Sequence, residues 1–155
     1  MAEQPLTIYE ILREAAGKKK IEERAKVLQN HSSTALKTVL GYALDPRVMW
    51  LIPEGVPPYI SNRDRKSSVR FSQLTKKLHY FVDGQDPIRD RLKRERLFIN
   101  MLEDVDDKDA LVLLAIKEKK LPFEQLTREV VDMAFPKLTK DWPKEKPVED
   151  DGQEL

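Results

Sequence analysis

The 155-residue sequence has no cysteine, only two histidines and only five glycines. Without cysteine it can form neither disulfides nor thiolate metal sites, and this usage is typical of a reducing compartment. Its longest apolar run has seven residues and ends at Ile116, far short of the roughly 18–20 that span a bilayer. The N-terminus lacks the basic-then-apolar order of a signal peptide. We therefore expect a cytoplasmic protein with no membrane segment.

Scarce glycine is accompanied by abundant Leu, Lys, Glu and Arg, which favours helix over sheet. A chain of this length normally forms one domain around a single core. We therefore predict one all-α domain over residues 1–138, followed by an acidic tail over residues 139–155 that is expected to be disordered.

Capping signals and apolar spacing predict about seven helices. Residues 7–10 have the spacing of a capping box, and Gly17 is expected to end the first helix. The apolar periodicity places Leu92, Leu111 and Met133 among the residues facing the core. The other six helices are predicted over residues 18–29, from Ser32-Ser33 to Asp45-Pro46, over 71–82, from Asp86-Pro87 to about 102, over 108–119, and from Pro122 onwards.

Residues 48–60 break this helical pattern. They begin with an apolar stretch that lacks helical period, and prolines follow at positions 53, 57 and 58. Because the sequence offers no obvious strand partner, we predict an extended segment laid across the core.

The net charge of +1 hides a strong asymmetry. Residues 60–100 carry eleven basic and five acidic side chains, whereas residues 141–155 carry six acids and two lysines. This separation indicates a basic surface that faces a polyanion, followed by an acidic end. A helical surface on which Arg and Lys serve only as solvated residues is the alternative.

Catalytic and metal-binding patterns are weak. His31 and His79 are far apart in the sequence and lack a second histidine at ligand spacing. The acidic cluster at 103–109 lacks the glycine turn of a calcium loop, and its aspartates are expected to cap a helix. The serines after His31 lack a glycine elbow and are also expected to be caps. We predict no enzyme activity, no metal and no cofactor.

Residues 106–138 resemble the last two helices of the N-terminal DNA-binding domain of phage-type ATP-dependent DNA ligases. In those ligases the unit ends at a leucine after an aromatic–proline pair, here Phe135-Pro136-Lys137-Leu138. Residues 8–12, 36–44, 50–53 and 72–81 are similar to earlier parts of that domain in spacing and apolar pattern. The chain is also similar in style to small proteins of large tailed phages. The resemblance implies a ligase-type helical bundle that stands alone, because only 17 residues follow Leu138.

Two departures from the ligases limit what the resemblance implies. The turn before their last helix carries an arginine and a glycine, whereas residues 119–123 read Lys-Lys-Leu-Pro-Phe. Two lysines could contact phosphates, but proline removes an amide donor and no glycine permits close approach. The Lys-x-Asp-Gly nucleotidylation motif is absent, and Phe81 stands where its nearest match needs lysine. The resemblance therefore implies no ligation activity.

The basic middle of the chain is the candidate binding surface. Arg89, Lys93 and Arg96 have the i, i+4, i+7 spacing of one helix face, although two pairs at i, i+4, Asp90–Arg94 and Arg91–Glu95, would neutralise part of the charge. Aromatic residues are not interleaved with the basic loop, which disfavours a single-strand stacking platform. The predicted nucleic-acid-binding residues are Arg63, Arg65, Lys66, Arg70, Lys76, Lys77, Arg89, Lys93, Arg96, Lys119 and Lys120.

These patterns predict a non-catalytic accessory protein, expected to be a monomer, that holds double-stranded or nicked DNA through its phosphates without sequence preference. Phage DNA replication or repair is the expected process. One alternative is a protein–protein interaction module on the same scaffold, which docks through residues 50–59 or the acidic tail. A minor virion component is the other.

Overall fold

The computed structural model describes residues 6–61 and 68–143, without the side chains of 68–70. These residues form helices and no regular strand, which confirms the predicted all-α class. None of these helices is long and apolar enough to cross a bilayer. The helices are α1 (Ile8–Ala16), α2 (Ile21–Asn30), α3 (Thr34–Leu44), α4 (Ser68–Thr75), α5 (Arg91–Asp104), α6 (Asp107–Lys117), α7 (Arg128–Ala134) and α8 (Pro136–Thr139), with a 3₁₀ turn at Leu78–Phe81.

Polar caps fix the start of several helices, as predicted. The Thr7 hydroxyl accepts from the Glu10 amide at 3.2 Å, and the Thr7 amide donates to the Glu10 carboxylate at 2.9 Å. Ser33 caps α3, and Asp106 caps α6. Each cap satisfies amides that have no partner within the helix, so these short polar residues set the helix boundaries.

The helix predicted over residues 71–82 is two elements. The amides of Lys76 and Lys77 donate to the carbonyls three residues earlier, at 3.3 and 2.9 Å. The Thr75 hydroxyl also donates back to the Ser72 carbonyl at 2.6 Å. These tightened bonds end α4, and the 3₁₀ turn then continues the buried row with Leu78 and Phe81.

The predicted start of α5 is wrong. Asp86 has φ of +63°, a left-handed conformation, and does not begin the helix. Asp90 caps it instead, since its carboxylate accepts from the amides of Leu92 and Lys93 at 3.0 and 3.3 Å. In the resulting helix the buried face is formed by Phe98, Met101 and Leu102. Leu92 lies off this face and is 69% exposed, so its predicted burial is also wrong.

The C-terminal helices also differ from the prediction in where they begin and in which face they bury. Pro122 lies in the turn after α6, and α7 begins only at Arg128. Phe135 precedes Pro136 with φ of −136° and ψ of 70°, outside the helical region, which interrupts the last helix. Because α6 and α7 bury other faces, Leu111 and Met133 are 41% and 43% exposed rather than buried.

The core lies where α6 packs against α1, α3 and α5, and α2 packs against α1 and α7. Residues 48–60, the extended segment, cross this assembly without helix, as predicted, but bend at residue 52 and at residues 54–55. At the end of the 3₁₀ turn they form one isolated antiparallel bridge, between Trp50 and Val82, in which the Leu51 amide donates to the Phe81 carbonyl at 2.8 Å and the Asp83 amide to the Met49 carbonyl at 2.9 Å. The rest of the segment is held by hydrogen bonds between its backbone and side chains from later in the chain.

Side chains from later helices hold the backbone of the extended segment. The Lys117 side chain is only 1% exposed, and its ammonium also pairs with Glu118. The hydrogen bonds run from Arg94 to the Leu51 carbonyl at 3.3 Å, from Lys117 to the Pro53 carbonyl at 2.9 Å, from the Gly55 amide to Glu118 at 2.8 Å, and from the Ile60 amide to Glu103 at 2.8 Å.

Trp142 belongs to the core although it lies four residues beyond the predicted domain end. It is 6% exposed and packs beside Gly41 of α3. Arg128 donates to the carbonyls of Trp142 and Pro143 at 3.2 and 2.6 Å. The helical domain therefore includes residues 139–143, and the acidic stretch that follows lies outside the described residues.

Candidate nucleic-acid interface

The predicted basic residues fall into three groups. Arg63, Arg65 and Lys66 lie outside the described residues, and Arg70 lies in α4 with its side chain not described. Lys119 and Lys120 lie in the turn after α6. The remaining five are exposed around the junction of α4, the 3₁₀ turn and α5, and we call them the junction surface: Lys76, Lys77, Arg89, Lys93 and Arg96.

Backbone hydrogen bonds bring the parts of the junction surface together. The Tyr80 amide donates to the Lys77 carbonyl at 3.1 Å, and the Tyr80 carbonyl accepts from the Ile88 amide at 3.0 Å. Arg89 follows Ile88 directly, and the 3₁₀ turn also packs on α5. Lysines from the end of α4 therefore lie near the cations at the start of α5.

The i, i+4, i+7 face predicted for Arg89, Lys93 and Arg96 is corrected in part. Arg89 precedes the cap residue Asp90 and lies outside the helix, so only Lys93 and Arg96 present a helical face. Neither of these two forms an ion pair with another described residue. Both cations therefore remain available to an external anion.

Of the two predicted ion pairs on α5, one forms. Arg91 and Glu95 approach to 3.1 Å. Arg94 turns inward instead and donates to the carbonyls of Leu51 and Ile88 at 3.3 and 2.8 Å, while Asp90 is used as the cap. Over residues 76–96, seven basic and four acidic side chains leave a net charge of +3.

Lys119 turns towards the protein, whereas its neighbour Lys120 is exposed. Its ammonium donates to the carbonyls of Tyr42 and Asp45, at 3.3 and 2.6 Å, and so caps the end of α3. Burial lowers the pKa of Lys119, and the charge of Asp45 opposes that effect. This lysine is therefore committed to the fold rather than to the exposed surface.

Asp45 is the acidic member of the same cluster. Burial would raise its pKa, but the hydrogen bonds and charge of Arg47, with the charge of Lys119, bring the pKa below its ordinary value. Arg47 and Asp45 approach to 2.8 Å. The carboxylate is therefore already matched by two cations.

Lys120 is exposed beside an open surface cavity of about 820 Å³. This cavity lies at the turn after α6. Its charged lining residues nearly cancel: Lys119, Lys120, Arg128, Glu124 and Glu129. Arg128 and Lys119 are also hydrogen bonded within the fold. The cavity therefore offers an anion little more than Lys120.

Sequence reasoning missed the buried cation Lys117. It lies four residues after Leu113 and seven after Ala110, two fully buried residues of α6, so its place on the buried face was readable from the spacing. The hydrogen bond from Lys117, followed by the bond from the Gly55 amide, lowers the pKa of Glu118. No group of three or more metal-binding side chains occurs among the described residues.

The backbone at Lys119 predicts a measurable difference between two substitutions. Its φ of +63° strains any residue with a Cβ. Lys119→Ala loses the two cap bonds but keeps the strain, and should lower the free energy of unfolding by about 1–2 kcal/mol. Lys119→Gly loses the same bonds but relieves the strain, and should be about 1 kcal/mol more stable than the alanine variant. Urea denaturation would measure both, and equal stabilities would contradict a strained turn.

Comparison with known proteins gives a family but no function. Residues 11–122, more than half of the chain, match a family of unknown function, DUF6433. The match includes most of α1, all of α2 to α6, and therefore the whole described junction surface. No curated protein and no solved structure matches the chain. The chain belongs to the family of unknown function DUF6433.

Proposed function

We propose that this protein is a non-catalytic accessory protein that holds duplex or nicked DNA through its phosphates, in phage DNA replication or repair. The observation that carries the proposal is the junction surface, where five exposed cations from separate elements lie around one helix start. The resemblance to the ligase DNA-binding domain supports the same class of ligand.

The form of the junction surface favours contacts to phosphate over contacts to bases. Its cations are exposed on a helix face and on turns. Exposed Lys and Arg side chains of this kind neutralise phosphates, which gives affinity without sequence information. We therefore infer salt-dependent binding that tolerates any duplex sequence.

A direct test measures the fluorescence anisotropy of labelled intact, nicked and single-stranded DNA with the full chain over a salt series. We expect the tightest binding to the intact or nicked duplex, with affinity that falls steeply as salt rises. Absence of binding at about 50 mM salt would contradict the proposal, since electrostatic binding is strongest there.

Charge reversal tests whether the junction surface is the part of the protein that binds DNA. Lys93→Glu with Arg96→Glu should lower duplex affinity about ten-fold or more and reduce the salt slope by about 2, because two phosphate contacts are lost. The matched control is Lys26→Glu with Lys137→Glu, which makes the same change in net charge at exposed sites elsewhere. Equal losses in the two double variants would mean that net charge alone, and not this surface, binds DNA.

A protein–protein interaction module is the second candidate, and exposed apolar side chains favour it. Val56 and Leu92 are 71% and 69% exposed. Apolar groups in such a position are typical of docking surfaces. Loss of partner binding in Leu92→Ser, with DNA affinity unchanged, would support this candidate.

A further inference from the structure

An apolar groove with one acid in each wall runs between the extended segment and α5, and we call it the proline groove. Residues 52–58 form one wall, and Glu95, Phe98 and Ile99 of α5 form the other. The groove encloses about 260 Å³. An apolar cavity of roughly 150 Å³ accepts benzene, so the groove has room for one large apolar side chain.

Contacts inside the fold fix both walls of the proline groove. Lys117 holds the carbonyl group before Glu54 at 2.9 Å, and Glu118 holds the amide group after it at 2.8 Å. In the other wall Phe98 is buried, and its ring packs edge-on against Phe81 with the two centroids 5.4 Å apart. Because the walls are already ordered, an occupant does not have to organise them when it binds.

Side chains, rather than main-chain pairing, recognise an occupant of this groove. Prolines at positions 53, 57 and 58 carry no amide donor, and the Gly55 amide is already bonded to Glu118. Val56 is 71% exposed in one wall, and Ile99 is half-buried in the other. An extended peptide that inserts an apolar side chain between the walls matches these surfaces.

Charge identifies the chemistry of the occupant. Glu54 and Glu95 are the charged residues that line the groove within the described part of the chain. Glu54 is exposed and forms no ion pair with another described residue. Glu95 is 26% exposed, and Arg91 donates to its Oε2 atom at 3.1 Å. A carboxylate accepts several hydrogen bonds, so the other oxygen of Glu95 can receive a second donor.

We propose that the proline groove binds an extended segment of a partner protein in which one large apolar residue lies between two basic residues. The apolar side chain fills the groove. Successive side chains of an extended peptide alternate, so the flanking cations point towards the open side, where they pair with Glu54 and Glu95. The same two acids repel an acidic segment. The proposal does not rest on DNA binding, because no cation of the junction surface lines the groove.

A direct test titrates the nitrogen-15-labelled full chain with the synthetic peptide Gly-Ser-Arg-Phe-Arg-Ser-Gly. We expect saturable shifts of the amide resonances of Gly55, Val56, Glu95 and Ile99. Affinity should fall as salt rises from about 50 mM to 1 M, because exposed ion pairs are screened. It should also fall about ten-fold or more in either of two matched peptides, one with glutamate in place of both arginines and one with serine in place of phenylalanine.

Matched variants show whether the two acids recognise the peptide. Glu54→Gln with Glu95→Gln should lower its affinity about ten-fold, because both ion pairs are lost. Glu22→Gln with Glu124→Gln makes the same change in net charge at exposed sites elsewhere, and should lower the affinity less than about two-fold. Glutamine keeps the shape of glutamate, so the fold is retained in both double variants.

Absence of groove shifts at about 1 mM peptide would overturn the proposal. Equal losses in the two double variants would also overturn it, since net charge alone would then attract the peptide. Groove shifts that grow with protein concentration without peptide would assign the groove to a second copy instead. Lys93→Glu with Arg96→Glu, designed to weaken DNA binding, removes cations that repel the peptide and should not lower its affinity. Failure of one proposal therefore does not decide the other.

Discussion

Replacement of Trp142 by alanine is expected to lower the free energy of unfolding by about 3–5 kcal/mol, the cost usual for a large buried aromatic residue. The indole is 6% exposed although it lies close to the end of the described chain. A Cβ added at Gly41 would lie 3.9 Å from the ring, so α3 passes directly against it. The lost volume cannot be refilled easily, because α3 and α7 pack against other elements of the core.

Arg128 couples Trp142 to α7. Its guanidinium lies 5.4 Å from the indole centroid and donates to the carbonyls of Trp142 and Pro143. Loss of the ring therefore also removes a cation–π contact and loosens these two bonds. Guanidinium denaturation of the full chain would measure the effect. Lys140→Ala, at an exposed neighbour, should change stability by less than about 0.5 kcal/mol.

Trp142→Phe separates burial from the specific contacts of the indole. It keeps an apolar aromatic ring and should recover more than half of the loss seen in the alanine variant. A loss of under about 1 kcal/mol in Trp142→Ala would mean that residues 139–143 contribute little to the domain. The domain would then end near Leu138, as the apolar pattern of the sequence predicts.

Replacement of Lys117 by alanine should cost about 3 kcal/mol. The Pro53 carbonyl loses its donor, Glu118 loses its cation, and the buried aliphatic stem of the lysine leaves a void. Lys117→Met keeps most of the stem and should cost about 1–2 kcal/mol less, because only the polar contacts are lost. Urea denaturation of both variants would measure the difference.

Lys120→Ala is the control for this series, since Lys120 is exposed and lies three residues after the end of α6. It should leave stability within about 0.5 kcal/mol of the parent protein. Equal stabilities for Lys117→Ala and Lys117→Met would mean that the stem contributes nothing and that the ammonium accounts for the entire effect.

The local signals of the sequence predicted much of the fold. Caps at Thr7, Ser33 and Asp106 depend on one side chain and amides two or three residues away, so they are readable from spacing. The start of α5 was wrong because two aspartates competed as caps. The choice between them depends on the tertiary structure: Asp86 has a left-handed backbone, and Asp90 is the residue that caps α5.

The candidate site was less predictable for a related reason. Exposure of Lys93 and Arg96 follows from helix spacing, and the structure brings Lys76 and Lys77, which follow α4, towards the start of α5. The inward turns of Arg94 and Lys119 could not be predicted, because Arg94 has one carbonyl partner 43 residues away and both partners of Lys119 lie 74 and 77 residues away. Basic residues near a helix end are thus ambiguous in sequence between an external anion and a carbonyl of the same chain.

The fastening of the extended segment has a consequence for the order of folding. Its backbone bonds to Arg94, Lys117, Glu118 and Glu103 span 43 to 64 residues. Each of these bonds can form only after a long loop has closed, and closing the loop costs chain entropy before the bond stabilises the fold. Helices α5 and α6 must already be docked when these bonds form. The segment therefore completes the native structure late.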